Sequence, residues 1–172
     1  VWVKVWYLNP ETFKTCPMFL LSTDVPENDH ISKTICHKLY DANESTKLAQ
    51  YILLGKGGAK LLDEMNLERD VYHLNEAHGL PAAFYLLRKY GGDLSKVKEK
   101  LVFTTHTPEE AGNEKHNLYH CHDMSYFSGL SIDEVKKIEG VDDDRFNHSL
   151  CALRMSRISN AVSQLHGVVS RD

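Results

Sequence analysis

Three stretches decide the fold: Asp70-Val71-Tyr72-His73-Leu74-Asn75, then Leu80 to Tyr90, then Leu101-Val102-Phe103-Thr104-Thr105. The first and third are short runs with β-branched and aromatic side chains, which predict strands. The second is an apolar run of helical length stopped by Gly91-Gly92, residues that end a helix readily. Strand, helix, strand in that order predicts an α/β fold with a parallel sheet flanked by helices. In such sheets ligands bind beyond the carboxyl ends of the strands. That rule selects Asn75-Glu76-Ala77-His78 after the first strand and His106-Thr107-Pro108 after the second.

Working outward, residues 1–8 read as a strand and Met18 to Ser22 as a second short apolar run. Val25 to Ala42 is polar and loop-like around Pro26-Glu27-Asn28. A helix capped by Ser45 or Thr46 is predicted to run to about Glu64, with Leu48, Ile52, Ala59 and Leu62 on its apolar face. Gly55, Gly57 and Gly58 loosen its middle. Ser95 is a candidate start for a further helical turn. A long polar segment is expected from His106 to about residue 131. There Ser131 caps a helix over Ile132 to Ile138, with Glu134 completing a capping box. Phe146 to Ile158 reads as an amphipathic helix, Asn160 to Ser163 as a short strand, and Gln164 onward as a helix.

The 172 residues are 42% hydrophobic and 26% charged, an ordinary globular composition. No repeat or linker divides them, so residues 1–172 are expected to form a single domain. The net charge of −4 leaves no electrostatic footprint for nucleic acid or an anionic membrane. No apolar run approaches the roughly 18 residues of a membrane span, and no leader pattern is visible. Cys16, Cys36, Cys121 and Cys151 lie far apart and read as reduced thiols of a cytoplasmic protein. The N-x-S/T matches at Asn43 and Asn147 are at chance level. The chain opens on Val1 inside an apolar run and closes on Val168-Val169-Ser170-Arg171-Asp172, which we read as a piece of a longer protein.

Several clusters invite chemistry, and each has a plainer reading. His73, Glu76 and His78 suit a proton shuttle or a hydroxylated ligand; the plainer reading is a helix start, with Asn75 as cap and Glu76 complementing the dipole. His116, His120, Cys121 and His122 suggest a metal, with His116 and His120 sharing a helix face. The Glu of HExxH is missing, however, and adjacent residues cannot all point inward from one helix, so no metal site is expected. Gly55-Lys56-Gly57-Gly58 lacks the phosphate-loop pattern, and a kink or close helix packing is the better account. Asp142-Asp143-Asp144 reads as a solvated loop, because calcium-loop spacing is missing. Val1 to Leu8 reads as an exposed edge strand.

Three stretches together resemble the α-glucan (glycogen, starch, maltodextrin) phosphorylases. Asp70-Val71-Tyr72-His73-Leu74-Asn75-Glu76-Ala77-His78 is similar to that family's DVYHLNEGH. Val102-Phe103-Thr104-Thr105-His106-Thr107-Pro108, followed by Ala111-Gly112-Asn113, is similar to VFTTHTPVPAGND. Ala152-Leu153-Arg154-Met155-Ser156-Arg157 and Asn160-Ala161-Val162-Ser163-Gln164-Leu165-His166-Gly167 are similar to ALRLSRxxNGVSxLHG. Weaker support comes from Asp24-Val25-Pro26-Glu27-Asn28, Leu39-Tyr40 and Leu53 to Gly58. The matches keep the family's order across nearly the whole chain and lie closest to its shorter bacterial and archaeal branch.

The resemblance implies transfer of a glucosyl unit from an α-1,4-glucan to phosphate, giving glucose 1-phosphate. It implies two Rossmann-like domains facing a cleft, the GT-B arrangement, with this chain in the later part of the N-terminal half. It also implies pyridoxal phosphate in the parent, on a lysine of a C-terminal domain that has no counterpart here, and a homo-oligomeric, cytoplasmic parent. The isolated chain is expected to be inactive, with no catalytic, cofactor-binding or metal-binding residue of its own. By matched position, His106 corresponds to the histidine whose backbone contacts the sugar's 6-hydroxyl. Glu76 and His78 correspond to the pair beside the anomeric carbon. Asp41 to Ser45 stand where the family has its gating loop, so Asp41 joins the substrate-binding set.

This sequence departs from the family at several places: Ala77 replaces Gly, Gly79-Leu80-Pro81 looks inserted, and Glu109-Glu110 replace Val-Pro. Lys47-Leu48-Ala49-Gln50-Tyr51 stands for RLxQE and loses its Arg and Glu. Two other readings compete. One is a non-catalytic glucan-binding or regulatory module. The other is a different GT-B transferase using a nucleotide sugar, because His120-Cys121-His122-Asp123 is similar to the His-x-His-Asp of glycogen-synthase-like enzymes.

Overall fold

The structure is a computed structural model, and it describes residues 1–39, 41–107 and 113–169. Its centre is a three-stranded parallel sheet of β3 (Tyr72–Asn75), β4 (Leu101–Thr105) and β7 (Ile158–Ala161), in that spatial order. Tyr72 pairs with Leu101, and Asn75 with Thr104; Val102 pairs with Ile158, and Thr105 with Ala161. The alternating α/β reading and its parallel sheet are therefore observed. Leu74, Leu101 and Phe103 turn into the core, where parallel strands bury their apolar side chains.

Helices cover the sheet. α5 (Pro81–Lys89) buries Pro81, Ala82, Ala83, Phe84, Leu86 and Leu87. Its small Ala pair lets the preceding helix approach closely. That helix is α3 (Glu44–Ile52), a π-helical turn (Leu53–Gly57) and α4 (Gly58–Glu64) in sequence. At Gly55 an added Cβ would stand 2.6 Å from the Gly79 carbonyl oxygen and 2.7 Å from the Ala82 nitrogen. Close helix packing, rather than phosphate binding, is thus what the glycine run serves. α6 (Leu94–Lys100) starts at Asp93, whose carboxylate accepts from the backbone N–H groups of Ser95 and Lys96, so Asp93 and not Ser95 is the cap. Likewise Asn43, not Ser45 or Thr46, caps α3, accepting from the Thr46 backbone N–H at 3.0 Å.

The C-terminal half departs most from expectation. The segment read as long and polar contains β5 (Lys115–Asn117) and α7 (Leu118–Asp123). α8 (Ile132–Glu139) follows with the expected Ser131/Glu134 capping box. The helix expected over Phe146 to Ile158 is instead β6 (Arg145–Asn147), α9 (His148–Met155) and the start of β7. β6 pairs antiparallel with β5, so Phe146 faces His116. Asn147 then caps α9 through Leu150, and Ser156 closes it by donating to the Ala152 carbonyl. α10 (Gln164–Val169) ends the described chain. Phe84, Tyr126, Phe127 and Phe146 interlock in the core with ring centroids 4.9–6.1 Å apart.

Before the core lies an antiparallel ribbon, β1 (Lys4–Leu8) with β2 (Met18–Ser22), joined through the short α1 (Pro10–Phe13) and followed by α2 (His30–Thr34). Among the described residues, no helix is long and apolar enough to cross a membrane.

Candidate functional site

The carboxyl ends of β3 and β4 come together as the parallel-sheet rule requires. Leaving β3, the Glu76 backbone N–H donates to the Thr104 carbonyl at 2.9 Å. The Glu76 carboxylate accepts from the backbone N–H of His106, at the end of β4. Glu76 holds φ 60° and ψ 175°, a conformation that belongs almost entirely to glycine. Strain of this kind persists only where surrounding contacts over-determine it. Here the two bonds to the β4 side supply that constraint.

Of the three residues weighed together, Glu76 and His78 line one small void, and His73 does not join them there. His73 instead bonds Thr104 Oγ1 through Nε2 at 2.7 Å, and Thr104 Oγ1 donates to Asn160 Oδ1 at 2.8 Å. The hydroxyl's one proton goes to Asn160, so His73 Nε2 must be the donor in its own bond. This bond chain ties β3, β4 and β7 together. The plainer reading fails, because Asn75 lies within β3 and caps no helix. His78, half-buried on a 3₁₀ turn (Ala77–Gly79), stacks on Tyr51 at 4.9 Å. His106 has its side chain in solvent.

Asp41 lies apart from these three. Its carboxylate accepts from the Asn43 backbone N–H at 2.8 Å, and among the described residues it bonds none of Glu76, His78 and His106. The neighbouring Ser45 bonds His120 Nε2 at 3.0 Å, tying the start of α3 to α7. Pro108 to Gly112, including the Glu109-Glu110 departure, lie outside the described residues, as does Tyr40.

The two changes in Lys47-Leu48-Ala49-Gln50-Tyr51 act as a pair. Lys47 Nζ and Tyr51 Oη both donate to Glu114, at 2.9 and 2.7 Å. Burial by itself would raise the Glu114 pKa, but the bonds from Tyr51 and Lys47 outweigh it and hold it below the ordinary carboxylate value. Tyr51 therefore links Glu114 to the ring of His78. A void of about 20 Å³ beside Glu76 and His78 is lined also by Tyr51, Glu114 and His148.

The four residues suggested as metal ligands are dispersed. His116 sits on β5, not on a helix with His120, and its Nδ1 bonds His148 Nε2 at 2.8 Å. His148 Nδ1 in turn meets the Tyr126 hydroxyl at 2.8 Å. Burial, with the other histidines nearby, holds the His148 pKa well below its ordinary value. Cys121 is in the core, its thiol pKa pushed up to about 12 by desolvation. Among the described residues, no three His, Cys, Asp or Glu converge as a metal site would require.

Sequence reasoning missed the far side of the crevice. A cavity of about 870 Å³ opens at the ends of β4 and β7, lined by Thr105, Asn160, Ser163 and Gln164 among others. It begins one residue before His106. Its signal was present, because Asn160-Ala161-Val162-Ser163-Gln164 is part of the motif quoted above, though none of these residues was named as a site. Among the described residues, no Lys or Arg lines this cavity or the small void beside Glu76. The described lining thus does not fit pyridoxal phosphate, which needs a lysine for its aldehyde and cations for its phosphate.

A three-stranded parallel sheet flanked by helices is consistent with a Rossmann-like α/β fragment. No protein-family model matches the chain. It is 37% identical over 164 residues to a maltodextrin phosphorylase of Thermococcus litoralis, which covers 90% of this chain and 20% of that protein. It is 32% identical over 179 residues to a glycogen phosphorylase of Mycobacterium tuberculosis, covering 90% and 21%. An uncharacterized protein of Methanocaldococcus jannaschii is 43% identical over 166 residues, covering 96% and 31%. The chain is a homologue of the glycogen and maltodextrin phosphorylases and matches one segment of that family, spanning roughly a fifth to a third of these relatives' lengths.

Proposed function

We propose that this chain supplies part of the glucosyl-binding cleft of an α-glucan phosphorylase with two facing Rossmann-like domains. Residues 1–172 form one unit of the N-terminal half in this reading. The parent moves a glucosyl unit from an α-1,4-glucan to phosphate. The observation that carries the reading is the bond from the His106 backbone N–H to the Glu76 carboxylate. It joins the two family-like motifs at the carboxyl ends of neighbouring parallel strands, where ligands of such sheets bind.

Each residue then has a defined task. The β4 end holds the His106 backbone toward the sugar's 6-hydroxyl. One Glu76 oxygen is occupied by His106 N–H, and the other has no protein partner among the described residues. That oxygen and His78 form the wall beside the anomeric carbon, with Tyr51 stacked behind His78. Asp41 to Ser45 form the gate. Fixed donors and acceptors of this kind orient the sugar and stabilise charge that develops at the anomeric carbon. The cleft residues have no nucleophilic role in this scheme. Pyridoxal phosphate and its lysine belong to a further domain of the parent, so the 172-residue chain by itself is inactive. The same proposal makes the parent a cytoplasmic homo-oligomer.

The test is release of glucose 1-phosphate from maltodextrin and phosphate by the whole polypeptide that carries this chain. Glu76→Gln and His78→Ala are each expected to lower kcat/KM by about 100-fold, with circular dichroism unchanged. Glucan binding without phosphorolysis would replace the proposal by a binding module. Activity only with a nucleotide sugar would replace it by the other transferase class. Unimpaired turnover by both variants would remove these two residues from the cleft.

A further inference from the structure

His78 is held by its face rather than by its nitrogens. It lies on the three-residue 3₁₀ turn after β3, and among the described residues its ring nitrogens make no hydrogen bond. Its ring contact is with Tyr51, at 4.9 Å between centroids and 30° between planes. Among the described residues this is the one stacked aromatic pair. The core rings meet edge-on or tilted, at 53–88°.

The difference has a chemical consequence. An imidazole offers its proton and its lone pair in the ring plane. An edge-on contact covers part of that rim, whereas a stack touches only the face. Tyr51 therefore fixes the plane of His78 and leaves both nitrogens uncommitted. That suits a side chain that must present a nitrogen to a ligand beside the Glu76 carboxylate, with which it shares a small void.

Tyr51 is itself held at both ends and is only 8% exposed. Its ring meets that of His148 edge-on, 6.1 Å away at 74°, and His148 is bonded to both His116 and Tyr126. Its hydroxyl donates to one oxygen of Glu114, while Lys47 Nζ donates to the other. Backbone packing sets the approach. Tyr51 stands four residues before Gly55, where the absence of a Cβ lets the helix close on the carbonyl of Gly79, the neighbour of His78. A carboxylate at position 51, as in the RLxQE pattern, has no ring to stack. We propose that Tyr51 is a positioning residue of the strand-end crevice: its ring sets the plane of His78, and Glu114 with Lys47 fixes that ring. The kinetic consequence rests on the glucan reading; the placement of His78 does not.

NMR of the whole polypeptide, with histidines carbon-13 labelled in the ring, tests the placement. The His78 signals are assigned by their loss in His78→Ala. Over the face of a tyrosine, Hδ2 or Hε1 of His78 should be displaced upfield from the same protons of the exposed His106 and His122. Tyr51→Leu should remove the displacement, and Tyr51→Phe, which keeps the ring, should retain it. In phosphorolysis Tyr51→Leu should lower kcat by about 100-fold with KM within about twofold. Tyr51→Phe should recover at least about tenfold of that loss, the remainder being the share of the Glu114 anchor. Undisplaced His78 signals in the unsubstituted protein overturn the proposal, whether or not the variants fold. A displacement that survives in Tyr51→Leu, or a Tyr51→Phe as impaired as Tyr51→Leu, overturns it as well. If the unsubstituted protein releases no glucose 1-phosphate, the glucan reading fails and the NMR signals still decide the placement.

Discussion

Every residue of the main apolar cluster lies between Leu48 and Met155, whereas the β1–β2 ribbon leaves Trp2 68% and Trp6 52% exposed. The two regions are held by different forces. Around the parallel sheet, Phe84, Tyr126, Phe127 and Phe146 are buried and in ring contact, and Phe103 is buried in the same cluster, so apolar burial carries the stability. In the ribbon the anchor is polar. Asn28 donates to the Trp2 and Thr23 carbonyls at 2.7 Å each and accepts from the Trp2 N–H at 2.8 Å. Gln50 on α3 likewise holds the carbonyls of Ile35 and Lys38. The strand-end residues sit on the well-packed region, which is where a crevice needs rigid support.

The contrast can be broken or sharpened by experiment. Phe84→Ala should cost about 3–5 kcal/mol of unfolding free energy in urea, because its aromatic partners Tyr126, Phe127 and Phe146 cannot close the cavity. A loss under about 1 kcal/mol would mean the aromatic cluster is not the stabilising centre. Gly55→Ala should cost about 2–3 kcal/mol, since its Cβ meets backbone rather than a movable side chain. It should also disturb His78, because Gly79 ends the turn that carries that residue.

Acid should weaken the core before the ribbon. Burial depresses the pKa of His148, and of His116, below the ordinary 6.5. Below that pH the unfolded chain binds protons that the folded one does not. Stability is therefore full above about pH 6.5 and falls as the pH drops toward the folded values, by up to about 1.4 kcal/mol per pH unit for each histidine. Urea midpoints at pH 7.5 and 5.5 check this, and equal values would contradict the neutral His116–His148–Tyr126 chain.

Ribbon changes should be milder. Asn28→Ala should cost about 1 kcal/mol, seen as faster amide exchange in residues 1–28 while the core keeps its protection. Trp6→Ala should change stability by less than about 0.5 kcal/mol, and a larger effect would show that the exposed ring packs on something in solution.

Much of the architecture is legible locally. β2 and β4 follow their apolar runs, β1 and β3 lie inside theirs, α5 stops before Gly91-Gly92, and α8 begins at a capping box. Each signal lies within a few residues of the element it marks. The β5–β6 ribbon is different. Lys115-His116-Asn117 and Arg145-Phe146-Asn147 are too short and polar to read as strands alone, and each is a strand only because the other lies beside it. The same limit hid Lys47–Glu114–Tyr51, whose members are up to 67 residues apart in sequence.

By itself the sequence determined the alternation of strand and helix, the parallel sheet and the two polar segments at its carboxyl edge. Apolar period, caps and glycine stops are local properties, and the side of the sheet that receives ligands follows from strand direction. Only the tertiary structure decided which histidines serve which purpose. His73 bonds Thr104 and His116 bonds His148 through ring nitrogens, while His78 stacks its ring on Tyr51, because each ring takes the partner that the fold places beside it. It also decided that Glu76 would hold a backbone conformation suited to glycine, since that requirement comes from β4, a separate strand nearly thirty residues further along the chain.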